Sequence, residues 1–159
     1  MANHPAARVV KTSTPVKKTS STVSSLGPGL GKSGLSLLSM ADKLVVKVTA
    51  GVDAPERCSQ AFTVAATALT SGAQVSLWLT GESAWFALPD RAAEFELPHA
   101  APLPDLLAAL LAGGQVTLCT QCAARRDIEP DDVLPGIRIA GAATFVEEVL
   151  GEGTQAIVY

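Results

Sequence analysis

Three kinds of residue are scarce in this chain of 159 residues, and each scarcity excludes something. Aromatic residues make up 4% of it, so there is no basic stripe interleaved with stacking rings of the kind that binds nucleic acid. Long apolar runs are missing despite 48% hydrophobic residues and a mean hydropathy of +0.31. The longest, Leu106 to Ala112, falls far short of the roughly 20 residues that cross a bilayer, so no membrane helix is expected. Cysteine occurs three times, at Cys58, Cys119 and Cys122, which is too few for a closed disulfide framework. The expected setting is a reducing cytoplasm, where a close cysteine pair reads as catalytic or metal-binding.

Acidic residues are absent before Asp42, where five basic ones stand: Arg8, Lys11, Lys17, Lys18 and Lys32. The remaining seven Lys and Arg share residues 42–159 with all fifteen Asp and Glu, a net charge of -8. So acidic a body repels a phosphate backbone. Residues 1–40 read as a Ser/Thr/Lys-rich disordered tail, broken by Pro5, Pro15 and Pro28, with too little apolar surface to offset the entropy of ordering. An added segment, a misassigned start ahead of Met40-Ala41-Asp42, and a transit peptide are the competing origins. Within it, Gly27 to Ser33 imitates a phosphate-binding loop, but Leu26 stands where the motif requires glycine, so nucleotide binding is rejected.

Residues 41–159 read as a single α/β domain. Lys43 to Ala50 is a β-branched strand ended by Gly51-Val52-Asp53. Asp53 is the expected N-cap of a helix with Pro55 and Glu56 in its first turn. Cys58, Ala61, Phe62, Ala65, Ala68 and Leu69 form one helical face, stopped by Gly72. A second strand covers Ala73 to Thr80, followed by a short helix over 82–88 and a proline-containing loop over 89–102. A helix then runs from Pro104 to Gly113-Gly114, and Gln115 to Cys119 is a third strand leading into a helix to about Arg126. Ile137 to Ala140, a helix through Phe145, Val146, Val149 and Leu150, and a strand over Gln155 to Tyr159 complete the order. Apolar strands separated by helices predict a three-layer sandwich: a small, mostly parallel sheet of about five strands with helices on both faces.

In such folds ligands meet the carboxyl ends of the strands. That rule singles out Cys119, at the end of the third strand, and Cys122, one helical turn on. Backbone N–H groups at a helix start favour a thiolate, and Arg125 and Arg126 follow closely. A thiolate there can accept a sulfur atom as a persulfide or exchange with a disulfide. Zinc would need three or four ligands. Only Cys58, His99 and scattered carboxylates remain to complete such a set, none in a paired motif, so no metal is expected. A redox pair of the thioredoxin kind and simple packing at a strand–helix junction are the other readings of the cysteines.

The stretch Val116 to Ile128, containing Cys119-Thr120-Gln121-Cys122 and Arg125-Arg126-Asp127, resembles the cysteine segment of the DsrE/DsrF-like sulfur-relay proteins. Thr49 and Gly51, Pro55-Glu56-Arg57, Leu79-Thr80-Gly81 and Leu134-Pro135-Gly136-Ile137 agree in order, so the resemblance covers about residues 43–159. It implies a compact α/β subunit assembling as a trimer or hexamer, no cofactor, and protein partners that donate and accept sulfur. It also implies a conducting cysteine followed six and seven positions later by Arg-Arg, which is Cys119 here. Cys122 matches the branch with C-x-x-C spacing. Asp127 stands where the family often has glycine, and aspartate tolerates a left-handed backbone.

The expected function is a sulfur carrier or sulfurtransferase holding sulfane sulfur on Cys119, with Cys122 resolving or tuning it and Arg126 supplying positive potential. The alternatives are a homo-oligomeric binding module with incidental cysteines and a thiol–disulfide protein using Cys119 and Cys122. Cys58 is expected in the core, within possible reach of Cys119. His99 reads as an exposed loop histidine or a base at the rim. Trp78 reads as core or interface, and Trp85 and Phe86 as pocket lining or packing. Glu147 and Glu148 are expected to be surface charge on the last helix.

Overall fold

The structure, a computed structural model, describes residues 42–159; the readings made of residues 1–40, the tail and its decoy loop, lie outside them. Five strands form one sheet in the order β4-β3-β2-β1-β5: β1 Lys43–Val48, β2 Gln74–Leu79, β3 Gln115–Cys119, β4 Ile137–Ala140 and β5 Thr154–Val158. Every pairing is parallel. Helices α1 Pro55–Thr70, α2 Leu103–Gly113, α3 Thr120–Ala124 and α4 Ala142–Val149 connect them, with two 3-10 turns, Gly81–Ala87 and Arg91–Glu94, between β2 and α2.

The register separates two unlike faces. Val46, Leu77, Val116 and Ile137 lie level across β1 to β4 and join Val48, Leu79 and Leu118 in the main core. Against them pack the Cys58, Ala61, Phe62 and Ala65 stripe of α1 and Leu103, Leu107 and Leu110 of α2. Phe62, Phe86 and Phe95 meet edge to face at 6.0 and 5.8 Å, so the few aromatics tie the segment after β2 to α1. Phe86 is therefore core, whereas Trp85 is only partly buried. One residue out of phase, Lys47, Trp78, Thr117 and Arg138 lie level on the other face.

That second face is polar and is covered by α4, which buries none of its own residues. Two contacts hold the helix down. Phe145 meets Trp78 edge to face at 5.3 Å. Glu148 accepts hydrogen bonds from Ser76 Oγ at 2.6 Å, from Trp78 Nε1 at 3.2 Å and from Arg138 Nη2, with Lys43 Nζ at 3.5 Å. Glu148 is thus an anchor and not the surface charge expected of it; Glu147 alone is exposed. A helical period shows which side of α4 carries Glu148 but cannot reveal that the sheet beneath is polar.

Element ends differ slightly from expectation, for local reasons. β1 stops at Val48 because the Thr49 N–H donates to Tyr159 O, 2.8 Å, while the Thr49 carbonyl accepts from Glu82 N, 3.0 Å. Asp53 does not cap α1. Ala54 holds that position, and Asp53 Oδ1 accepts from Gly51 N at 2.7 Å. After α3 the chain turns through Asp127 at φ +52°, with Ile128 N donating to Ala123 O at 3.1 Å, a left-handed helix ending of the Schellman type.

Two predictions follow from these contacts. Gly81 has φ +52°, and an added Cβ would stand 2.5 Å from the Thr49 carbonyl oxygen. Gly81→Ala is expected to lose at least about 2 kcal/mol of stability, read from the urea midpoint; an unchanged midpoint contradicts the close crossing of the two loops. Burial pushes the Glu148 carboxyl up, but Ser76, Trp78, Arg138 and Lys43 outweigh it and hold the group below its ordinary range. A carboxyl lowered on folding contributes stability above its unfolded pKa of about 4.3 and loses it as the pH falls through its folded value. Glu148→Gln is therefore expected to be about 1–2 kcal/mol less stable than wild type at neutral pH, with the two converging below about pH 4.

Candidate functional site

Because all strands run parallel, β1, β2, β3 and β4 end on one rim, and the segments that follow them converge there. Cys119 is the last residue of β3 and the N-cap of α3. It is half-buried and opens on a cavity of about 330 Å³ lined by Lys47, Trp78, Thr80, Thr120, Gln121, Gly141, Ala142 and Phe145. Thr80 is held there by its hydroxyl, which donates to Val48 O at 2.7 Å.

The two cysteines of the pair sit in opposite electrostatic settings. Burial raises the pKa of Cys119, but the backbone N–H groups of Cys122 and Gln121, the Cys122 thiol and the Lys47 ammonium outweigh it and lower the net value. Burial raises Cys122, and the neighbouring Cys119 adds to this. The Gly81 N–H, which donates to Cys122 Sγ at 3.2 Å, and Arg126 offset only part, so Cys122 stays above its ordinary value. Of the two, Cys119 is thus the more readily ionised and Cys122 the less.

Arg126 is placed on the far side of Cys122. Its Nη2 donates to Glu82 Oε1 at 2.7 Å, its Nη1 to Cys122 O at 3.3 Å, and the guanidinium lies 5.5 Å from the Trp85 ring centroid. Its charge is paired with Glu82 and bears on Cys122; the cation that bears on Cys119 is Lys47. Arg125 is exposed. Trp85 carries Arg91 as a second cation, 5.7 Å from the ring centroid, and lines a separate cavity of about 230 Å³ with Val52, Glu82, Phe86, Arg91 and Glu94.

The remaining candidates stand apart from this cavity. Cys58 is wholly buried on the inner face of α1, where burial and then Asp53 push its thiol up to about 12. His99, at φ +64°, is exposed and lines a cavity of about 550 Å³ against α1 that contains no cysteine. Among the described residues no three His, Cys, Asp or Glu side chains gather where they could hold a metal ion, and no helix is long and apolar enough to cross a membrane.

Lys47, Trp78 and Phe145 were not singled out as site residues by the sequence. The available signal was Lys47 itself, a charged residue within an otherwise β-branched strand that pairs on both sides.

Comparison with known proteins places this geometry. No curated protein sequence matches the chain. Among solved structures it is similar to the YchN protein of E. coli, with 17% identity and a TM-score of 0.61 over 76% of this chain and 100% of that one. It is also similar to MTH1491 of Methanobacterium thermoautotrophicum, a protein of unknown function, with 10% identity and a TM-score of 0.54 over 74% and 98%. At such identities the two share the fold. The DsrE/DsrF-like family profile matches residues 42–158, a span that takes in the whole sheet and the cysteine segment. The chain therefore belongs to the DsrE/DsrF-like family, whose members generally serve in sulfur relay.

Proposed function

We propose that this protein is a sulfur carrier that holds sulfane sulfur as a persulfide on Cys119. The observation that carries the reading is the environment of that one sulfur: at a strand end, open to a cavity, and favoured as thiolate by two backbone N–H groups, the Cys122 thiol and Lys47. The Cys119 thiolate attacks the terminal sulfur of a donor persulfide. The new S–S bond forms as the donor's own S–S bond breaks, and the donor leaves as a thiolate. An acceptor thiolate then takes the outer sulfur and restores Cys119.

Cys122 gives the pair a second course. Its contact with Cys119 favours attack on the inner sulfur, which expels hydrosulfide and leaves a Cys119–Cys122 disulfide that an external dithiol must reduce. The same contact supports the reading as a thiol–disulfide protein. Arg126 serves either course by bearing on Cys122. Donor and acceptor proteins are the proposed partners. Self-association is supported by the exposed Val146, Leu150 and Val158 on and beside α4, and a trimer or hexamer is the number that the family resemblance implies.

Intact mass after exposure to a persulfide donor, with and without reductant, tests the proposal. A reducible gain of whole sulfur atoms is expected in wild type and Cys58→Ala and is lost in Cys119→Ala. A two-hydrogen loss alone selects the disulfide reading, and no change in any protein overturns both. Alkylation across pH adds a second prediction. Cys119 is expected to react with a midpoint below the ordinary thiol value of about 8.5, while Cys58 stays inert until the pH approaches about 12.

A further inference from the structure

The cavity beside Cys119 has a charge character opposite to the domain that contains it. Residues 42–159 carry a net charge of -8, yet the lining holds one cation, Lys47, and no carboxylate. Lys47 forms no ion pair among the described residues, whereas Arg126, Arg138, Arg91 and Lys43 each have a carboxylate partner. Its Nζ lies 4.9 Å from the centroid of the Phe145 ring, which directs the stem along the wall formed by Phe145 and Trp78.

The register sets the distance from this cation to the thiol. Lys47 is level with Trp78, and Trp78 with Thr117. Cys119 therefore lies two strand spacings across and two residues along, about 10 Å by about 7 Å between Cα positions. The lysine stem spans part of that interval. The rest leaves room for one small molecule with a sulfur at Cys119 Sγ and a negative group at Lys47 Nζ, against apolar ring edges.

We infer that this cavity takes small anionic sulfane-sulfur donors of the thiosulfonate class, thiosulfate included, and that Lys47 is the residue selecting their charge. The inference rests on the sulfur-carrier reading above and names its substrate class. The Cys119 thiolate attacks the terminal sulfur of the donor. The Cys119 S–S bond forms as the bond to the oxidised sulfur breaks, and the electron pair departs with that sulfur as sulfite from thiosulfate, or as a sulfinate from an organic thiosulfonate. Charge and atoms balance without an added oxidant or reductant. Negative charge grows on the leaving group during the step, where Lys47 stabilises it. One cation in a lining otherwise of uncharged side chains, two of them aromatic rings, suits a compact monosulfonyl donor and not an extended polyanion.

Two measurements on the full chain separate this inference from the reading it rests on. The first is the ratio of Cys119 alkylation rates by iodoacetate and by iodoacetamide at one pH. The ratio cancels the thiolate fraction and reports the local preference for an anion. It is expected to fall about fivefold to tenfold in Lys47→Met, to be kept in Lys47→Arg and Lys43→Met, and to decline with salt in wild type. An equal ratio in wild type and Lys47→Met overturns the inference, even if Cys119 is loaded by a protein persulfide. The second is sulfite release from thiosulfate with mass gain on Cys119, whose half-saturation is expected to rise about tenfold in Lys47→Met. Persulfide loading from protein donors with thiosulfate inert overturns the donor class alone. A lysine-dependent ratio with no sulfur loading from any donor overturns the sulfur-carrier reading, and the donor assignment with it.

Discussion

Parallel pairing of all five strands is the constraint on which the site depends. In a parallel sheet every strand must be re-entered from the same end, so the carboxyl ends of the strands and the starts of the following helices gather on one rim. Here the rim is tight. The loop after β1 and the turn after β2 cross so closely that Gly81 leaves no room for a side chain, and Ser83 Oγ both donates to Val48 O and accepts from Thr80 N. These bonds fix the Gly81 N–H against Cys122, and Cys122 against Cys119. The chemistry of the pair is thus set by backbone placed by the sheet before any charged side chain contributes.

The charged side chains then divide their effect. Arg126 is paired with Glu82 and lies over Trp85, and it offsets only part of the rise in the Cys122 pKa. Lys47 forms no ion pair among the described residues and favours the Cys119 thiolate. Each cation favours ionisation of the cysteine it faces, so the asymmetry between two cysteines three residues apart comes from the backbone N–H groups at Cys119 and from the hydrogen bond between the thiols, which lowers one and raises the other. The sulfur-carrier proposal uses that difference in ionisation to make Cys119 the nucleophile.

Much of this was legible in the chain because it depends on neighbours in sequence. The apolar strand runs from Lys43, Gln74 and Gln115, the glycines that follow the first two, and the helical stripe through Cys58 and Phe62 determine the order of elements. The place of Cys119 at a strand end follows from the same patterns. Asp127 was readable as a residue able to take a left-handed turn, and it does so. What was not legible depends on partners far apart in sequence. Glu82 lies 44 residues from Arg126, and no local pattern shows that it takes up that charge. Glu148 reads as surface on a helical wheel, yet meets Ser76 and Trp78 from 72 and 70 residues away. Lys47 alternates with buried valines just as a solvent-facing lysine would, and only the arrival of α4 turns that face into a cavity wall.

The two faces of the sheet are held to their helices in different ways. The side under α1 and α2 is a closed apolar mosaic in which a change of one methylene is felt by its neighbours. The side under α4 is joined to its helix by one ring contact and one carboxylate network, and the helix buries nothing itself. Cys119 opens onto this side, so the groups that meet its sulfur, Lys47 and Phe145 among them, belong to the polar face and not to the mosaic behind it.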